Sequence, residues 1–171
     1  MPRYPQYLTA YHGTTSRVAI ALLRGETPEY KPIYVEGING LSSLGGTYLA
    51  RDQHLAWIYA EDAALIFGDE PVVLTVRVAT SELLPDEDWV VCATHHRAPD
   101  PTPRVQRFLD DLFVGYPGDG WSLSDHYKER YSELNAKHGI SWRDSWAAGH
   151  GTARFDRLLR PEDVLVVTKV E

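Results

Sequence analysis

Two short segments of this chain carry side chains that could hold a sugar and a flat aromatic ring. The first is His12–Thr14, and the second is Gly46–Tyr48, which is followed eleven residues later by another tyrosine, Tyr59. A histidine can hydrogen-bond a sugar hydroxyl, and two aromatic faces can hold a flat ring between them. A glycine lets the backbone approach a ligand closely. The residues therefore favour binding of a ligand in which a flat ring is attached to a sugar.

Periodicity and capping predict the elements that position these residues. A serine, Ser16, is the predicted N-cap of the first helix, and Gly25 ends that helix. Asp52 caps the second helix, which places Leu55, Ile58, Tyr59 and Ile66 near one face. The predicted elements of this half are a strand at Tyr7–His12, a helix at Arg17–Arg24, a strand at Thr47–Ala50, a helix from Asp52 to about Phe67, and a central strand at Pro71–Val78.

The second half of the sequence predicts helices and a closing pair of strands. The helices are expected at Arg104–Val114 and at Ser124–His138, the latter capped by Ser124, and the strands at Arg154–Leu159 and Asp163–Val170. The chain is thus expected to form one α+β domain over residues 1–171, with a helical insertion at about 92–148. Residues 26–46 are rich in proline and glycine and predict a long loop, a kind of segment that is often functional.

Composition and net charge limit the classes of function that the chain can have. The chain has 171 residues, a net charge of −7 and a single cysteine, Cys92. The negative charge argues against general affinity for phosphate backbones, and one cysteine allows no internal disulfide. The N-terminal residues lack the apolar core of a signal peptide, and no apolar run reaches membrane-spanning length, so we expect a cytoplasmic protein without membrane contact. Cys92, His95 and His96 lack the spacing of a metal site, and no metal is expected.

The motifs together resemble the diphtheria-toxin-like and poly-ADP-ribose-polymerase-like branch of the ADP-ribosyltransferases. That branch has a His-Gly-Thr on its first strand, then a Gly-x-Tyr at a later strand start and a second tyrosine eleven residues on. The segments at His12–Thr14 and Gly46–Tyr48, with Tyr59, are similar in kind and spacing. The resemblance covers roughly residues 7–80 and, faintly, 150–170. It implies an ADP-ribosyltransferase-like split β-sheet core with flanking helices, and NAD as the substrate that is consumed.

The resemblance also implies roles for individual residues. His12 would bind the ribose next to nicotinamide, Gly13 would contact the nicotinamide amide through its backbone, and Thr14 would support the loop. Tyr48 and Tyr59 would sandwich the nicotinamide ring. Holding the ring in a strained orientation, with polar groups near the positive charge that develops on the ribose, would accelerate cleavage of the bond between them.

The family's third residue, a glutamate on a late strand, has no counterpart here. The aligned position falls near His150–Thr152, and no glutamate occurs between Glu133 and Glu162. His150 is the strongly polar candidate for the catalytic position, although a loop histidine beside flexible glycines has the same pattern. Arg51 follows Tyr48 closely and could meet the pyrophosphate of NAD or form an ordinary surface pair.

Three functions remain open at this point. The first is a mono-ADP-ribosyltransferase that moves ADP-ribose from NAD to a macromolecular acceptor, either protein or nucleic acid, with release of nicotinamide. The second is an NAD-dependent RNA 2′-phosphotransferase, which is disfavoured because that family has a histidine where this chain has Tyr48. The third is a non-catalytic module that binds NAD or ADP-ribose. A role as a toxin, phage effector or housekeeping enzyme, the acceptor and the oligomeric state are not specified by the sequence.

Overall fold

The protein has an α+β fold, as the sequence predicted. The computed structural model describes residues 5–26, 44, 46–94, 101–116, 118, 123–148 and 151–170. These residues form six strands: β1 (Tyr7–Thr15), β2 (Thr47–Ala50), β3 (Pro71–Ala79), β4 (Leu83–Pro85), β5 (Thr152–Phe155) and β6 (Val164–Lys169). They also form six helices: α1 (Ser16–Leu23), α2 (Gln53–Phe67), α3 (Trp89–Thr94), α4 (Pro103–Leu112), α5 (Leu123–His138) and α6 (Trp142–Ala147).

The contacts divide the chain into two compact units. One unit contains β1, α1, β2, α2, β3 and the chain from Arg154 onward, and the other contains residues from Leu84 to Ala153. The second unit includes α3–α6, and it therefore holds the segment for which a helical insertion was predicted. Whether the two units behave as the single domain expected from the sequence stays a prediction. Among the described residues, no helix has both the length and the apolar character needed to cross a membrane.

The six strands form one sheet in the order β4-β5-β2-β1-β3-β6. β1 pairs antiparallel with β3 at nine successive positions, from Tyr7 opposite Ala79 to Thr15 opposite Pro71. β6 pairs antiparallel with β3, with a shift of register between Thr75 and Val76. The predicted closing pair is therefore wrong as a pair, because β5 lies next to β2 while β6 lies on the other side of β3. Periodicity identifies strands, but it contains no information about which strands become neighbours.

Both ends of α2 have the caps that its sequence favours. The Asp52 side chain accepts a hydrogen bond from the His54 backbone N–H at 2.7 Å, and Gly68 ends the helix in the left-handed conformation. The prediction for α1 was one residue off. Thr15 occupies the N-cap position instead of Ser16, and its side chain makes no capping bond. The Asp69 carboxylate accepts from the Arg17 N–H at 2.8 Å and satisfies the first turn of the helix instead.

The four residues predicted near one face of α2 do not share one environment. Leu55 packs against the core beside Ala56 and Ala60, whereas Ile58 and Tyr59 are both 42% exposed. The buried residues of the helix are Ala56, Ala60 and Ala64. The reason is close contact with β1 at Gly13. An ideal Cβ built on Gly13 would lie 1.9 Å from the Ala56 carbonyl oxygen, so helix and strand meet backbone to backbone. Only small residues fit such a contact, and the alanine at every fourth position supplies them.

The unit containing residues 84–153 has its own hydrophobic core. Phe108 of α4 is fully buried, stacks on Trp89 and meets Tyr127 of α5 edge to face. α4 begins at Pro103, one residue before the predicted start, because Thr102 is the N-cap and accepts from the Val105 N–H. The predicted cap Ser124 is instead a buried residue of the first turn of α5.

Candidate functional site

The His12 imidazole is fixed to the neighbouring strand by its Nδ1 atom, which lies 2.9 Å from the Tyr48 carbonyl oxygen. A carbonyl oxygen can only accept, so the hydrogen of the neutral ring must be on Nδ1. The other ring nitrogen, Nε2, is consequently a hydrogen-bond acceptor. Burial lowers the pKa of His12 from its ordinary value of 6.5 to about 4. At neutral pH, the Nε2 atom of His12 is therefore an uncharged acceptor.

This contact lies close to the position at which β1 and β2 pair. The two strands pair antiparallel with Tyr11 opposite Ala50, and β1 pairs with β3 through Thr15. The carbonyl of Tyr48, two residues before Ala50, accepts from the side chain of His12. The imidazole thus joins the two motif segments.

The start of β2 is also fixed on its other side, by the segment around β5. The Thr47 hydroxyl donates to the Arg157 carbonyl oxygen at 3.0 Å. Gly46 has a φ of 84°, and an ideal Cβ on it would lie 2.3 Å from the Phe155 carbonyl oxygen. Position 46 therefore requires a glycine for two reasons, its backbone conformation and its close approach to the Phe155 carbonyl. These contacts place the backbone that His12 binds.

A charged network holds Arg157 in place. Its guanidinium donates to both carboxylate oxygens of Asp163, at 2.7 and 3.0 Å, and to Glu82 at 3.0 Å. It also lies over the Phe155 ring, 4.4 Å from the ring centroid. Arg157 and Asp163 were not recognised as positioning residues from the sequence. Arg157 is close to Asp163 in sequence but far from Glu82, so no local sequence pattern reveals this network.

The two tyrosines of the motif lie on one side of the sheet. Ala50 packs with Ala56 and Ala60 of α2, and Tyr48 precedes Ala50 by two residues, so the Tyr48 side chain projects from the face that α2 covers. Tyr11 and Gly13 of β1 also face α2, so the His12 side chain projects from the opposite face and reaches Tyr48 through its backbone carbonyl. Tyr59 lies on α2 next to Ala60, whose backbone nitrogen would be 2.7 Å from an ideal Gly13 Cβ. Tyr48 is half-buried and Tyr59 is exposed.

The remaining predicted site residues have different environments. Thr14 is buried in β1, directly after Gly13, and Arg51 is exposed directly after β2. His150 lies outside the described residues, as do His95 and His96. In the part of the chain that the structure describes, no group of three histidine, cysteine, aspartate or glutamate side chains could hold a metal ion.

Comparison with known proteins identifies no similar protein. No protein-family model matches the chain, and no curated protein or solved structure matches it significantly. The geometry around His12, Gly13 and Tyr48 is therefore the basis on which function can be inferred.

Proposed function

We propose that this protein is an NAD-dependent mono-ADP-ribosyltransferase with an ADP-ribosyltransferase-like split-sheet core. The observation that carries the proposal is the contact between His12 Nδ1 and the Tyr48 carbonyl oxygen. It joins the two segments that resemble the family's nicotinamide-binding motifs, although they are 36 residues apart in sequence.

The chemistry of the donors and acceptors fits the nicotinamide riboside half of NAD. A neutral imidazole whose Nε2 accepts can receive a hydrogen bond from a ribose hydroxyl. An imidazolium would instead repel the positive charge that develops on the ribose, and the lowered pKa of His12 avoids this at neutral pH. When bound, NAD supplies a glycosidic bond whose cleavage releases nicotinamide.

The two tyrosines would orient the leaving group. Tyr48 belongs to the strand beside His12, and Tyr59 belongs to the helix that packs directly on Gly13. Stacking on both ring faces would fix the angle of nicotinamide relative to the ribose. The close packing of α2 on Gly13 explains why this position is a glycine, and a role of the Gly13 backbone toward the nicotinamide amide remains part of the proposal. Thr14, buried beside it, would support the turn into α1.

Two further positions complete the proposed site. Arg51, exposed at the end of β2, would meet the pyrophosphate, where a guanidinium can bind two phosphate oxygens at once. His150 would take the place of the family's glutamate, with a neutral ring that accepts a hydrogen bond from a ribose hydroxyl or a proton from the acceptor. The acceptor is a macromolecule, either protein or nucleic acid.

The proposal is tested with NAD labelled in its ADP-ribose part. The purified protein is incubated with this NAD and with cell lysate, and separately with RNA that carries a 2′-phosphate. Label on a protein or nucleic acid, with stoichiometric nicotinamide, supports the proposal. Label on a product that carries the RNA 2′-phosphate would identify the phosphotransferase reaction instead. Binding of NAD without nicotinamide release would identify a binding module.

A further inference from the structure

The outer face of α2 has an unusual distribution of large and small residues. The side toward the sheet has only alanines at its centre, Ala56, Ala60 and Ala64. Leu55 packs against this side, but two large apolar side chains lie on the opposite side, where Ile58 is 42% exposed and Leu65 is 81% exposed. A helix packed against a sheet normally has the reverse arrangement, with its large apolar residues buried and polar residues outside.

The exposed apolar residues form one stripe along the helix. Ile58 is two residues from both Ala56 and Ala60, so it lies on the far side of the helix, and Leu65 follows two turns later on the same line. Trp57, 38% exposed, is on the edge of this stripe and contacts the His54 ring edge to face, with centroids 6.3 Å apart. We name Trp57, Ile58 and Leu65 the α2 stripe.

Two carboxylates lie within the α2 stripe. Glu61 and Asp62 are exposed and come between Ile58 and Leu65, three or four residues from each, so they are neighbours on the helix surface. Helix α2 contains no lysine or arginine. Among the described residues, no ion pair involves Glu61 or Asp62. The stripe thus combines exposed apolar surface with two carboxylates that form no ion pair within the part of the chain that the structure describes.

We propose that the α2 stripe is the docking surface for a basic, amphipathic helix of a partner protein. An apolar row on such a helix would cover Ile58 and Leu65, and its lysine or arginine side chains would pair with Glu61 and Asp62. The charges decide the class of partner. A second copy of this chain would present the same carboxylates to each other, and nucleic acid or an anionic membrane would present negative charge as well. This inference is independent of the NAD reaction.

The test uses three synthetic helical peptides as probes. The first has a leucine row flanked by lysines, the second has the same row flanked by glutamates, and the third has the lysines but serines in place of the leucines. Binding to the full chain is measured by calorimetry at low and at high salt. The inference predicts binding of the first peptide alone, with an affinity that falls as salt rises.

Variants of the full chain show whether that binding uses the α2 stripe. Ile58→Ser with Leu65→Ser, and separately Glu61→Lys with Asp62→Lys, should each weaken binding by at least roughly tenfold. The matched controls change exposed residues elsewhere: Val114→Ser, which is 67% exposed, and Glu129→Lys with Glu133→Lys on α5. The controls should bind like the wild type, and all variants should retain its circular dichroism and melting temperature.

Several results would overturn the inference. These are absence of binding of the lysine–leucine peptide, equal binding of the glutamate peptide, and equal loss of affinity in the control variants. A wild-type dimer that Ile58→Ser with Leu65→Ser converts to a monomer would show that a second copy covers the stripe. Binding to anionic vesicles that these same substitutions abolish would assign the stripe to a membrane.

Discussion

The two ring nitrogens of His12 have different tasks, and the structure separates them. Nδ1 donates to the Tyr48 carbonyl and orients the ring, while Nε2 is the acceptor that a ribose hydroxyl would use. From the sequence, His12 could be recognised as a candidate because of its neighbours in the motif. Its tautomer and its lowered pKa could not be predicted, since both depend on a carbonyl 36 residues away and on burial by the folded chain.

The lowered pKa of His12 makes stability depend on pH. The folded state holds the pKa near 4 and the unfolded state near 6.5, so the contribution is fully present above pH 6.5. As pH falls from 6.5 to 4, the unfolded chain binds a proton that the folded chain does not, and about 3 kcal/mol of stability is lost. Urea unfolding of the wild type at pH 7.5 and pH 4 measures this loss.

The matched variant for that measurement is His12→Asn. The Asn side-chain N–H₂ can still donate to the Tyr48 carbonyl, but this side chain does not titrate. The pKa values of Asp69, Asp111 and Asp163 are lowered by hydrogen bonds and cationic partners, and these groups lower stability in acid equally in both proteins. The variant should therefore lose less stability than the wild type. Equal losses would show that His12 is not the group responsible.

Tyr59 is a residue whose role can be tested with little effect on folding, because its side chain is 42% exposed. Tyr59→Ala should weaken NAD binding by roughly five- to tenfold, since one stacking face is worth about 1 kcal/mol. Tyr59→Phe should bind like the wild type because stacking uses the ring and not the hydroxyl. Trp57→Ala is the control, since Trp57 lies on the same helix and is 38% exposed. Calorimetric affinities that fall for Trp57→Ala and not for Tyr59→Ala would exclude the proposed stacking.

At the scale of elements, local sequence signals predicted where strands and helices lie along the chain better than they predicted which side chains those elements bury. The strand at Thr47–Ala50 and the helix from Asp52 to about Phe67 were predicted correctly, because the alternation of side chains and the capping residues are local. The burial of Ala56, Ala60 and Ala64 in α2 was not predicted. Which face of a helix is buried depends on the partner, and here the partner is a glycine that requires small residues.

Gly13→Ala tests the contact between β1 and α2. The added methyl group would meet the Ala56 carbonyl oxygen at 1.9 Å, so strand and helix must move apart. We expect a loss of about 3 kcal/mol in the free energy of unfolding, at the upper end for an overpacked site. Thr9→Ala is the control, since Thr9 is exposed in the same strand, and it should change stability by less than about 1 kcal/mol. Urea titration measures the free energy of unfolding of both variants. A similar loss of stability in the two would contradict the close packing of β1 and α2.

At the scale of the whole molecule, the α+β class followed from the sequence and the strand order did not. The sheet order β4-β5-β2-β1-β3-β6 combines strands from both ends of the chain. Long-range pairing of this kind depends on the packing of every element and has no local signature. The net charge of −7 leaves the acceptor open, because it describes the whole chain and not the surface near His12.

The central claim is that the neutral Nε2 atom of His12 takes part in NAD cleavage, and nicotinamide release tests it most directly. Wild type and His12→Asn are incubated with NAD labelled in the nicotinamide ring, in the presence of lysate, at pH 7.5. The wild type should release nicotinamide, and the variant should be slower by roughly 10- to 100-fold, the effect of losing one hydrogen bond in the site, while melting at nearly the same temperature. Equal rates in the two proteins, or a wild type that neither binds NAD nor releases nicotinamide, would contradict the claim.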